Sequence, residues 1–117
     1  MLGEVIKWRA KIIKKATVNL INSMILIADS GSTKTDWLLV GPKDRFSFQT
    51  EGFNPFYQTT DDIIVNFRAS LIPKLPQPPS ISAIYYYGTG ITDDSKRAVL
   101  AEAFEQTIGK VPTIEIE

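Results

Sequence analysis

Residues 24–41, MILIADSGSTKTDWLLVG, constrain this chain more than any other stretch. Two apolar runs, 24–28 and 37–40, flank a segment of small and hydroxyl-bearing residues with Asp29 at its entrance. Runs this short, bounded by Gly, Ser and Thr, predict buried strands, and the brief connection predicts that they pair as a hairpin. In the turn, Gly31 lets a ligand approach the backbone with no Cβ in the way. Ser30, Ser32, Thr33 and Thr35 place hydroxyls beside consecutive N–H groups. Successive turn amides form a concave nest for anions, so a phosphate is the expected guest. A P-loop is excluded, because that motif needs Gly-Lys-Ser/Thr opening a helix. Here Lys34 follows Thr33 and the chain runs on into the apolar 37–40.

The 117 residues suffice for one domain with its own core, and 44% hydrophobic with 22% charged residues is ordinary for a globular protein. With neither Cys nor His in the chain, disulfides, thiolate metal sites, cysteine nucleophiles and imidazole bases are excluded. Any chemistry must rest on carboxylates, hydroxyls, Lys and backbone. Formal charge is zero, but unevenly spread: residues 1–23 hold five of the thirteen basic and one of the thirteen acidic residues. The remainder is mildly acidic, so no nucleic-acid partner is expected. In the first 23 residues apolar positions 5, 8, 12 and 13 fit a helical stripe among lysines. They are expected to be a basic extension, a loose helix or disordered, without a role in the fold; no apolar run matches a signal peptide or a membrane span. The expected location is cytoplasmic and the domain proper is 24–117.

Further along, 45–50 (RFSFQT) alternates as a half-buried strand, making three consecutive antiparallel strands. An aromatic loop, 51–57, holds Asn54 in front of Pro55, which biases it to extended backbone. Such a loop can hold a polar ligand against aromatic faces, or Phe53, Phe56 and Tyr57 can cap the core. Thr59 and Asp62 form a capping box, with Asp61 and Asp62 as helix caps rather than metal ligands. Ile63, Ile64, Phe67 and Leu71 make one apolar face, and Pro73 ends the helix. Residues 81–87 (ISAIYYY) predict a strand running into Gly88-Thr89-Gly90, followed by a helix over roughly 93–108 with Gly109 at its C′ position. Residues 112–117 begin one more strand. A glycine-rich turn at the carboxyl end of a strand is where open α/β sheets bind ligands.

The run Ala28-Asp29-Ser30-Gly31-Ser32-Thr33-Lys34-Thr35-Asp36 resembles the first phosphate motif of the actin, sugar-kinase and heat-shock-chaperone superfamily. Within it the chain most resembles the N-acetylglucosamine kinase and BadF/BadG-type ATPase branch. The order β-β-β-α-β-α-β resembles that superfamily's ribonuclease-H-like (actin-like ATPase) half-domain: an α/β fold on a mixed five-stranded sheet. By that resemblance Gly31, Ser32 and Thr33 bind the β and γ phosphates of ATP, and Asp29 places Mg²⁺ or its waters. Lys34 either neutralises phosphate charge or is a solvated turn lysine. Asn54 is expected to hydrogen-bond a sugar, N-acetylglucosamine or similar, with Gly88, Thr89 and Gly90 allowing its close approach. The family's catalytic aspartate lies just past a strand like 112–117 and is absent here, as is the second ATP-binding domain. Glu115 and Glu117 are poor substitutes. The resemblance therefore implies a truncated N-terminal part, inactive alone. Two other readings are an activator ATPase of the BadF/BadG type, whose cluster cysteines this chain lacks, and a non-catalytic fragment whose open edge drives homodimerisation.

Overall fold

A computed structural model describes residues 23–77 and 79–117. The expectation for the basic extension falls, apart from Ser23, outside the described residues. The strands are β1 (Met24–Ser30), β2 (Lys34–Val40), β3 (Arg45–Glu51), β4 (Ile81–Gly88) and β5 (Thr113–Ile116), and the helices are α1 (Thr60–Asn66) and α2 (Asp94–Thr107). They form one mixed sheet in the order β3-β2-β1-β4-β5. β1 pairs antiparallel with β2, and β2 with β3, while β1, β4 and β5 run parallel. The expected α/β architecture on a mixed five-stranded sheet is what the chain forms.

Local chemistry explains the elements. The β1–β2 hairpin closes with the Gly31 N–H donating to Lys34 C=O at 2.8 Å, and the β2–β3 hairpin with Gly41 N–H donating to Asp44 C=O at 2.8 Å. β1 is apolar at successive positions because it is central: Leu26 and Ala28 join the larger core cluster, and Ile25 and Ile27 a second cluster with Leu38, Val40 and Ala83. The β1-to-β4 and β4-to-β5 crossovers step the same way across the sheet, so a common hand places α1 and α2 on one face. There Ile63, Phe67 and Leu71 meet Leu100, Ala103 and Phe104. At the centre of this face Trp37 is buried against the rings of Phe48, Phe67, Tyr86 and Phe104, with centroids 6.2 to 6.3 Å away.

α1 starts on the expected capping box: the Thr59 N–H donates to Asp62 Oδ2 at 2.9 Å, and the Asp62 N–H donates to Thr59 Oγ1 at 3.2 Å. Thr59→Ala should cost about 1 kcal/mol, read as a lowered urea midpoint with an unchanged m-value. An unchanged midpoint would show that the cap is dispensable.

Two expectations need adjustment. The helix foreseen up to Leu71 is regular only to Asn66; Phe67–Leu71 is a wider π-helical stretch, then Ile72–Lys74 a 3₁₀ turn. The Ile72 N–H donates to Phe67 C=O, five residues back, as the chain approaches Pro73, which has no N–H and cannot continue a regular helix. This widening keeps Phe67 and Leu71 both buried. β3, foreseen as half-buried, is mostly exposed because it is the edge strand of the sheet. Phe46 faces solvent, while Phe48 stacks on Trp37 with 12° between ring planes. Gly109 takes φ +103° after α2 and donates to Glu105 C=O at 3.0 Å, as a C′ glycine does. Among the described residues no helix is long and apolar enough to cross a membrane.

Candidate functional site

The parallel pairing of β1 with β4 brings Ser30 level with Gly88, so the 31–33 turn and Gly88-Thr89-Gly90 leave the sheet side by side. The Thr89 N–H donates to Ser30 C=O at 3.2 Å. Gly90, at φ +78°, lies against the Asn54 side chain: a Cβ there would overlap Asn54 Oδ1 and sit 2.8 Å from its Cγ. The three segments singled out in the sequence thus meet at the carboxyl end of the parallel strands. This follows from topology, since that end is where the loops of successive parallel strands converge.

Within the turn, the Gly31 N–H is committed to Lys34 C=O. Ser32, Thr33 and Lys34 are exposed. The N–H groups and hydroxyls of Ser32 and Thr33 donate to no described residue, so they are available to an outside acceptor. A Cβ on Gly31 would meet only Lys34 O, at 3.6 Å, so the space beside this residue is open.

Ser30 and Thr35, whose hydroxyls were expected beside the anion, instead turn into the core; their side chains are 3% and 0% exposed. They are an in-register pair on the core face of β1 and β2, and strand alternation sends both inward. Their oxygens lie 2.8 Å apart. Asp29 faces Asp36 across the same ladder. Like charges opposite each other destabilise a sheet, and for Asp36 the Gln49 Nε2 group, donating at 2.7 Å, offsets this. Among the described residues no group of three or more carboxylates, His or Cys is placed to hold a metal ion.

Asn54 is held by its own loop. Its N–H donates to Gln58 Oε1 at 2.7 Å and its Oδ1 accepts from the Phe56 N–H at 2.9 Å. That leaves the side-chain NH₂ without a partner among the described residues. Of the loop aromatics, Phe53 is buried edge-on against Phe67 at 5.0 Å, whereas Phe56 and Tyr57 are 55% and 81% exposed and pack edge-to-face at 5.1 Å. The Lys96 ammonium, on the first turn of α2, lies 5.5 Å above the Phe56 ring. Core capping therefore belongs to Phe53 alone. Asp93 caps α2, donated to by Ser95 Oγ at 2.6 Å and the Lys96 N–H at 3.1 Å, which hold its carboxyl below the usual range.

Gly88 has a packing reason to be glycine: a Cβ would stand 2.7 Å from Tyr86 Cε1 and 3.3 Å from Ser30 Cβ. The Tyr86 hydroxyl beneath it is buried with no hydrogen-bond partner among the described residues, and burial pushes its pKa far up, so it stays neutral. The Ser30 hydroxyl nearby offsets part of this rise. Sequence reasoning overlooked Gly52. A Cβ on this residue would run into the backbone of the turn, 2.7 Å from Ser32 C and 2.8 Å from Thr33 N. Its one sequence signal is a glycine placed directly after a strand.

The chain is thus an α/β domain with a mixed sheet, two helices on one face and an open turn beside a carboxamide-bearing loop. No protein-family model and no curated protein matches the chain. Among solved structures it is similar to a Porphyromonas gingivalis protein described as a putative N-acetylglucosamine kinase, with TM-score 0.71, 40% sequence identity, and coverage of 80% of this chain and 33% of that one. The resemblance to N-acetylglucosamine kinases drawn from residues 28–36 is thereby shown. The chain spans about a third of that protein's length.

Proposed function

We propose that this chain is the phosphate-holding and sugar-facing part of an ATP-dependent kinase for N-acetylglucosamine or a similar amino sugar, built on a ribonuclease-H-like half-domain of the actin-like ATPase type. The observation that carries this is the exposed turn at Ser32 and Thr33 with its unused amides and hydroxyls, in a chain 40% identical, over 80% of its length, to a protein described as a putative N-acetylglucosamine kinase. Phosphate oxygens accept from such donors, and the open side of Gly31 admits them. Lys34, exposed at the end of the turn, adds positive charge. Asn54 offers its free NH₂ to a sugar oxygen, with Gly90 holding that side chain in place.

Mg²⁺ fits this donor set, since Asp29 supplies a hard oxygen at the mouth of the turn. With no group of three carboxylates among the described residues, most of the ion's shell would come from the nucleotide's phosphates and water. When bound it would neutralise charge on the transferring phosphate. The residues of this chain bind, orient and screen. Glu115 pairs in register with Tyr85, three positions short of Gly88, about 10 Å from the turn end of the sheet. Glu115 is therefore not placed to take a proton from a sugar there, whereas Glu117, whose C=O accepts from the Gly88 N–H at 2.8 Å, stands level with that end. Neither is the aspartate that the resemblance calls for, and we expect binding without turnover by the 117-residue chain.

Thermal shift and calorimetry with Mg-ATP test this reading. Saturating nucleotide at a hundredfold excess over Kd should stabilise the parent by about 2.7 kcal/mol, and Thr33→Ala or Asp29→Ala should abolish the shift. A parent showing no saturable shift, or variants keeping all of it, would refute the phosphate reading. Labelled ATP with N-acetylglucosamine tests the other half: turnover would overturn the expectation of binding alone and leave the site intact.

A further inference from the structure

Around Gly52 the chain closes a ring of hydrogen bonds. The Phe53 N–H donates to Ser30 Oγ at 3.1 Å, Ser30 and Thr35 share the 2.8 Å contact, and the Thr35 hydroxyl donates to Glu51 C=O at 2.9 Å. Because the single Thr35 proton goes to Glu51, Ser30 must be the donor between the two hydroxyls. The path therefore runs from residue 53 through two buried hydroxyls on the hairpin back to residue 51, every member satisfied. At its centre Gly52 lies against the backbone of Gly31, Ser32 and Thr33 so closely that a methyl group cannot enter unless the turn moves. The atoms in the way are main-chain atoms rather than the ends of flexible side chains.

We infer that Gly52, with Ser30 and Thr35, is the positioning device of the phosphate turn. It clasps the hairpin from beneath so that the Ser32 and Thr33 amides are held ready for an anion before one arrives. The inference rests on the phosphate reading above and deepens it. It adds that the turn and the Asn54 loop, two residues beyond Gly52, form one body. A turn with only one hairpin bond, Gly31 N–H to Lys34 C=O, would otherwise lose affinity to the ordering of its own backbone.

The test compares Thr35→Val, Thr35→Ser and Gly52→Ala, with calorimetry for Mg-ATP and hydrogen exchange of the Ser32 and Thr33 amides in the ligand-free chain. Thr35→Val keeps shape but breaks the ring by removing the donor to Glu51; it should weaken Mg-ATP about tenfold and shift both turn amides, in a chain with a dispersed native spectrum. Thr35→Ser keeps the hydroxyl and should bind within about twofold of the parent. Gly52→Ala should be at least as impaired as Thr35→Val, and if it does not fold, the Val and Ser pair decides. Turn amides unchanged in Thr35→Val, or its undiminished affinity for Mg-ATP, would overturn the clasp. A parent that fails to bind Mg-ATP, while Thr35→Val still disturbs the turn amides, would refute the phosphate reading and leave the clasp standing as a structural device.

Discussion

Trp37→Ala should cost about 3–5 kcal/mol, the range for emptying a fully buried large aromatic position. In a domain this size that is a large share of a total stability of roughly 5–15 kcal/mol. The indole has no exposed surface, and four other rings pack around it. Its Nε1–H also donates to Thr50 Oγ1 at 2.8 Å, which ties the core to edge strand β3. Trp37→Phe keeps part of the packing and loses that bond, so it should fall well short of the Ala cost. Urea unfolding followed by circular dichroism measures both. If Trp37→Ala unfolds at the parent's midpoint, Trp37 is not the centre of the core between sheet and helices.

Gly90→Ala is the second large effect, because it acts on stability and on the site together. The residue sits at φ +78°, where an L side chain costs about 1–2 kcal/mol. Its new methyl would also displace the Asn54 carboxamide and strip Oδ1 from the Phe56 N–H, about 1 kcal/mol more. Gly109→Ala is the control: it too has positive φ, +103°, but no neighbour lies within 4 Å of a Cβ there. We expect Gly90→Ala to be the less stable of the two and to lose N-acetylglucosamine-induced shifts of the Asn54 NH₂ resonances, which Gly109→Ala retains. Equal stability of the two variants would show that Asn54 yields freely and is not held by Gly90.

Much of the architecture was legible in the chain because it is written in local chemistry. The capping pair Thr59 and Asp62, the C′ Gly109 and the apolar spacing of Ile63, Phe67 and Leu71 each act over a few residues, and all appear as foreseen. The order of strands and helices, together with crossover handedness, carried the sheet topology. Edge and centre were harder to separate: residues 45–50 alternate properly, yet an alternating pattern does not reveal whether a helix lies above it. The π-helical stretch at Phe67 was hidden for a similar reason, since its register depends on where Pro73 and the core pull the chain.

At the site the division is sharper. The residue types around 29–36 predict a phosphate turn, and the resemblance they carry agrees with the neighbour described as a putative kinase. Which hydroxyls face outward was a matter of register: Ser30 and Thr35 are paired on the inner face, while Ser32 and Thr33 occupy the turn itself. Strand periods, caps and turn glycines are set by neighbours along the chain, and so the sequence alone determined them. That Gly52 lies against the turn, that Gly90 lies against Asn54 and that Gly88 lies against Ser30 are contacts between residues 19 to 58 positions apart in the chain. Only folding, which brings such distant backbones within a methyl group's width, decided those.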